Sequence, residues 1–142
     1  MGNMSHKILV AEDSDDDFLL IQDAFTENGL PVELIWVRDG EELMDHLSRK
    51  SAPELILLDL KMPKKNGLEA LKEIKADPAL RRIPVIAFST SASEEDVRAA
   101  YDLGVNAYVK KPVGFVLFTE AVQKIYDFWI GLSRRPAPAE HR

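Results

Sequence analysis

Cysteine is absent from the 142 residues, which excludes disulfides, thiolate metal sites and cysteine nucleophiles. The absence fits a reducing compartment, and a cytoplasmic location is the expectation. Long apolar runs are missing too: none approaches the ~20 residues that span a bilayer. The opening Met1-Gly2-Asn3-Met4-Ser5-His6-Lys7 lacks the basic and apolar regions of a signal peptide. No membrane partner is therefore expected. Basic stripes are absent as well. The formal net charge is −6, and the densest basic spots, Lys61/Lys64/Lys65, Arg81-Arg82 and Arg134-Arg135, read as solvated surface. Nucleic acid is not expected as a partner, because its readers neutralise phosphates with clustered Lys and Arg.

What remains is a globular composition, 46% hydrophobic and 30% charged, in the range of folded domains rather than disordered chains. Strand and helix patterns alternate. Lys7–Ala11, Val32–Val37, Leu55–Leu58, Val85–Phe88 and Ala107–Val109 read as strands. Between them, apolar residues recur at helical spacing over 14–28, 41–50, 68–76 and the segment after Ser91, with a last helix over 115–132. Asp39-Gly40 reads as a turn, and Ser91-Ala92-Ser93-Glu94 as the capping pattern that opens the fourth helix. Five strands and five helices in alternation predict an α/β fold, a doubly wound five-stranded parallel sheet in one domain. Leu55–Leu58, apolar throughout, should lie centrally with both faces covered. The domain is expected to span 6–132, with 133–142 a disordered tail.

In such a sheet the carboxyl ends of the strands converge on the ligand-binding edge. Glu12 and Asp13 follow the first strand, and Asp59 follows the third. Carboxylates gathered there must take up protons or share a cation, and a hard divalent ion such as Mg²⁺ (or Mn²⁺) suits oxygen ligands. Asp59 beside such an ion could attack a phosphoryl group and form an acyl phosphate. Ser89, ending the fourth strand, could donate to a phosphoryl oxygen. After the fifth strand, Lys110 and Lys111 alternate in direction, so only one of them can face the pocket. Alone, each residue has an ordinary explanation as a cap, a loop hydroxyl or a solvated lysine. Together they converge on one edge.

The set Glu12-Asp13, Asp59-x-x-Met62-Pro63 with Gly67, Ser89 and Lys111-Pro112 resembles the receiver domain of two-component response regulators, in order and spacing, across about residues 6–128. The resemblance implies a flavodoxin-like fold and a phosphoacceptor signalling protein rather than a classical enzyme. Asp59 would take phosphate from a histidine kinase or a phosphotransfer protein. It implies that Asp13 binds Mg²⁺ directly, that Glu12 acts mostly through water, and that the Lys61 backbone carbonyl completes the protein ligands beside Asp59. Ser89 and Lys111 would hold the phosphoryl oxygens. Ser89 and Tyr108 would form the switch that reshapes the face of the fourth helix, fifth strand and fifth helix. Lys61 and Ser91 occupy positions that tune the phosphate's lifetime, and neither is an acid or amide suited to orienting water, so slow hydrolysis is expected.

Further matches at Ser14-Asp15-Asp16-Asp17, Val37-Arg38-Asp39-Gly40-Glu41-Glu42, Lys64-Lys65-Asn66-Gly67 and Phe128-Trp129 resemble stand-alone regulators that work with phytochrome-type kinases. Trp129 and Leu132 should outrun the sheet, where exposed apolar residues suggest a homodimer through the last helix and fifth strand. Three rival readings exist. An aspartyl-phosphate phosphatase would carry a second aspartate where Lys61 stands. A flavodoxin-like cofactor module would leave Glu12, Asp13 and Asp59 placed to repel its ligand. A receiver-like docking module would not need the full residue set.

Overall fold

Strand β3, Leu55–Leu58, is buried at every position and lies at the centre of a parallel sheet ordered β2-β1-β3-β4-β5. The computed structural model describes residues 5–134 and 136. The other strands are β1 (His6–Ala11), β2 (Val32–Val37), β4 (Val85–Ser89) and β5 (Ala107–Lys110). Between and after them run α1 (Asp15–Glu27), α2 (Gly40–Arg49), α3 (Gly67–Ala76), α4 (Glu94–Asp102) and α5 (Phe115–Tyr126). The predicted doubly wound α/β architecture is the one observed.

Period-two alternation divides the strand side chains between two cores. Leu9, Ala11, Ile56, Leu58, Val85 and Ala87 pack with α2 and α3 on one face. Ile8, Val10, Leu55, Leu57, Ile86 and Phe88 pack with α1 and α5 on the other. Fully buried Phe25, Phe88 and Phe118 each contribute about 1.5–3 kcal/mol relative to exposure. This two-sided burial makes the sheet a rigid platform for the residues at its carboxyl edge.

Three local expectations differ from the structure. Helix α4 is capped by Ser93, whose Oγ accepts the Asp96 N–H at 3.1 Å. Ser91 instead donates its hydroxyl to Asp96 Oδ2 at 2.5 Å, so the nearer serine takes the cap and the earlier one ties down the loop. Asp39-Gly40 is the cap and first residue of α2 rather than a separate turn: Asp39 Oδ1 accepts the Glu42 N–H at 2.8 Å. The last helix is α only to Tyr126 and continues as a π-helix over Asp127–Leu132. Trp129 packs partly against the α1/α5 core rather than lying beyond it, while Phe128 and Leu132 are exposed. Of the tail expected to be disordered, Ser133, Arg134 and Pro136 are described, and the other positions lie outside the described residues.

Candidate functional site: an acidic pocket with one lysine

Strand register brings the key residues together. Ala11 and Leu58 are paired across β1 and β3, and the Asp59 N–H donates to the Ala11 carbonyl at 3.0 Å. Glu12 and Asp59 therefore leave adjacent strands side by side. On the other flank, Ser89 pairs with Lys110 across β4 and β5, and the Lys111 N–H donates to the Ser89 carbonyl at 2.8 Å. Lys111 is thereby the lysine turned into the pocket, and Lys110 is exposed.

The Lys111 ammonium is shared among three acids. Its Nζ lies 2.5 Å from Glu12 Oε1, 3.3 Å from Asp17 Oδ2 and 3.5 Å from Asp59 Oδ2. Glu12 and Lys111 are almost wholly enclosed, with side chains 2% and 5% exposed. Burial raises the Glu12 carboxyl to about 7, against the opposing pull of Lys111, and the Asp59 charge adds to the rise. For Lys111, burial pulls the ammonium down, but the hydrogen bond it donates to Glu12 and the charges of Glu12, Asp59 and Asp17 outweigh it, so its pKa is raised.

Local backbone contacts aim the acids. Glu12 Oε2 accepts the Ser14 N–H at 3.2 Å, and its own N–H donates to the Val37 carbonyl at 3.0 Å. Asp59 Oδ1 accepts the Lys61 N–H at 3.1 Å. The Trp36 indole N–H donates to the Glu12 carbonyl at 2.7 Å, and its ring stacks on Phe18 at 4.2 Å. Gly67 lets α3 approach the same edge: a Cβ there would lie 2.5 Å from the Asp59 carbonyl oxygen and 2.5 Å from Leu60 Cα.

A second set of polar residues walls the pocket beyond Ser89, which is fully buried. Ser89 Oγ accepts the Ser91 N–H at 3.2 Å. The Tyr108 hydroxyl donates to the Ser91 carbonyl at 2.6 Å. Asp96 accepts from Ser91 and pairs with Lys61 Nζ at 3.5 Å. The Ser91 hydrogen bond, joined by the Lys61 charge, holds the Asp96 carboxyl below its usual range. Lys61, Ser91 and Tyr108 thus form one network rather than three separate features.

Among the described residues, the carboxylates close enough to share an ion are Glu12, Asp17 and Asp59, with ligand oxygens all within 4.8 Å of one another. Hard oxygen donors in net excess over one ammonium fit Mg²⁺ or Mn²⁺. Asp13 is exposed and stands outside that group. Asp17 does not stand out in the sequence, where it is one of three consecutive aspartates in the run Ser14-Asp15-Asp16-Asp17. The available signal was direction: helical Cβ atoms tilt toward the N-terminus, so the third residue of α1 leans back over the end of β1. No helix among the described residues is long and apolar enough to cross a membrane.

The chain is 42% identical over 142 residues to the response regulator Rcp1 of Synechocystis, covering 96% of this chain and 97% of that protein. It is 39% identical over 137 residues to the probable methanogenesis regulatory protein FilR2 of Methanothrix harundinacea, covering 93% and 88%. The phosphorylated cyanobacterial phytochrome response regulator RcpA superposes with a TM-score of 0.88 at 42% identity, over 94% of this chain and 100% of that one. The Mn²⁺-bound form of Rcp1 superposes with a TM-score of 0.84 at 41% identity, over 93% and 99%. Residues 8–123 match the response regulator receiver domain, and the chain belongs to that family.

Proposed function

We propose that this receiver domain accepts a phosphoryl group on Asp59 and relays the change by protein contact. The observation that carries the reading is the convergence of Asp59 with Glu12 and Lys111, acids and ammonium within 3.5 Å at one sheet edge. An Asp59 oxygen attacks phosphorus, the P–N bond to a phosphohistidine breaks, and the imidazole nitrogen keeps the electron pair of that bond and takes up a proton from solvent. Little covalent work falls to the protein beyond positioning and charge neutralisation. Glu12, Asp13 and Asp59, with the Lys61 carbonyl, would hold Mg²⁺ or Mn²⁺, which when bound supplies positive charge against the phosphoryl oxygens. Lys111 and Ser89 supply the remaining donors. As a signalling protein, the chain would promote only its own phosphorylation and dephosphorylation.

The donor is a sensor histidine kinase or a phosphotransfer protein. A phytochrome-type kinase is favoured by the likeness to RcpA. Ser89 and Tyr108 would carry the change outward to α4, β5 and α5. That face shows Tyr101, Phe115, Val116 and Leu117 exposed, which supports a protein interface there, including a homodimer through α5 and β5. The absence of an acid or amide at Lys61 and Ser91 supports slow hydrolysis.

The direct test is incubation with a small acyl phosphate with and without Mg²⁺, read by intact mass. One added phosphoryl group, dependent on Mg²⁺ and lost in Asp59→Asn, is expected. Addition that persists in Asp59→Asn would overturn the assignment of the acceptor. Hydrolysis within minutes would remove the slow-lifetime reading. Sedimentation showing a monomer at tens of micromolar in both states would remove the dimer.

A further inference from the structure

Helix α1 begins with Ser14 as its cap, and Ser14 Oγ accepts the Asp17 N–H at 3.2 Å. An acid at this third helical position ordinarily reaches back to the N–H of the cap. Glu69 does so in α3, accepting the Asn66 N–H at 3.0 Å. In α1 the corresponding N–H, that of Ser14, is bonded by Glu12 Oε2 instead. The Asp17 carboxylate is thereby released from capping, and it meets Lys111, ninety-four positions away in sequence, at 3.3 Å.

This pairing matters because Lys111 competes with any cation for the same oxygens. Its ammonium lies against Glu12 Oε1 and near Asp59 Oδ2, the two most enclosed acids of the pocket. Both acids are held at strand ends by backbone hydrogen bonds, and neither can follow the lysine away. Asp17 stands at the rim, its side chain 41% exposed. With a divalent ion held by Glu12 and Asp59, the ammonium would be repelled from those oxygens, and a buried ammonium without a counter-ion is costly. Asp17 is within reach to receive it.

We infer that Asp17 is a positioning residue that accepts the Lys111 ammonium when a divalent cation takes Glu12 and Asp59, and so sets the affinity of the pocket for that cation. The inference rests on the reading of the pocket as a divalent-cation and phosphoryl site. It differs from a ligand role: Asp17 acts through Lys111, and its effect should vanish when Lys111 is removed. A direct ligand, or a charge acting only through its field, would matter as much or more without the lysine.

Mn²⁺ titration by calorimetry of the wild type, Asp17→Asn, Lys111→Met and the double variant separates these cases. In the wild-type background, Asp17→Asn should weaken Mn²⁺ binding about three- to fivefold, the range of a partly exposed ion pair. In the Lys111→Met background the same change should weaken it less than about twofold, and Asp17→Glu should restore most of the affinity. Equal weakening in both backgrounds would overturn the inference in favour of direct ligation, and no weakening in either would overturn it outright. If Lys111→Met fails to fold by circular dichroism, Lys111→Gln serves as the second background. A wild type that binds no Mn²⁺ would overturn the divalent-cation reading, and this inference with it. A wild type that binds Mn²⁺ while Asp17→Asn binds equally well would sink the inference alone.

Discussion

Tyr108 on β5 donates its phenolic hydrogen to the backbone carbonyl of Ser91 at 2.6 Å, tying the fifth strand to the loop that follows β4. Burial raises the Tyr108 pKa, and the Asp96 charge raises it further, so the hydroxyl remains a donor at neutral pH. Tyr108→Phe removes that donor and leaves the Ser91 carbonyl short of a partner. A loss of about 1 kcal/mol is expected, measured as a lower urea midpoint with an unchanged slope. An unchanged midpoint would mean that the loop is held by the Ser91–Asp96 bond instead.

Glu12 predicts a pH dependence of cation binding. In the metal-free pocket its carboxyl is raised from 4.5 to about 7, so below that value the folded protein carries a proton the cation must displace. Apparent Mn²⁺ affinity should rise as pH climbs toward about 7, by up to about tenfold per unit, and level off above it. The same shift has a stability counterpart. The folded state binds the extra proton between the two values, so metal-free stability attributable to Glu12 falls as pH rises through that window. Mn²⁺ affinity that stays flat between about pH 5.5 and 7 would contradict a raised Glu12.

Gly67 is required by contact rather than by backbone angle. A methyl group there would fall 2.5 Å from both the Asp59 carbonyl oxygen and Leu60 Cα. Those are backbone atoms and cannot rotate away. Gly67→Ala should cost about 1–3 kcal/mol through overpacking and, by displacing the segment that carries Asp59, also slow phosphorylation by a small acyl phosphate. Thermal unfolding and intact-mass kinetics on one sample read both effects.

Removing Lys111 leaves Glu12 and Asp59 facing each other in an enclosed site without their cation. Lys111→Met should destabilise the metal-free protein by about 3 kcal/mol, as breaking a buried pair does. Saturating Mg²⁺ should recover more stability in this variant than in the wild type, because the ion no longer competes with the ammonium. Equal stabilisation of both proteins by Mg²⁺ would show that lysine and ion do not share the acids.

The alternation of apolar strands and amphipathic helices was legible because burial on both faces of a parallel sheet demands it. The uniformly apolar Leu55–Leu58 announced the central strand in the same way. Local chemistry was less legible where two residues could do one job. Ser91 and Ser93 both fit a helix cap, and only the position of Asp96 separates them. In the last helix, Trp129 and Leu132 were both expected to outrun the sheet, yet Trp129 packs partly against the α1/α5 core and only Leu132 of the two is exposed. Periodicity read at α-helical spacing does not register the change to π pitch after Tyr126.

By itself, the sequence determined the fold class and the placement of acids, a hydroxyl and a lysine after particular strands, since each follows from local patterning along the chain. Tertiary structure decided which of those groups meet. Parallel register set Glu12 beside Asp59 and turned Lys111, not Lys110, into the pocket. It also brought in Asp17 while leaving Asp13 exposed. The physical reason is range: strand and helix formation act over a few residues, whereas a charged pocket is assembled across distances in sequence that only the packed sheet closes.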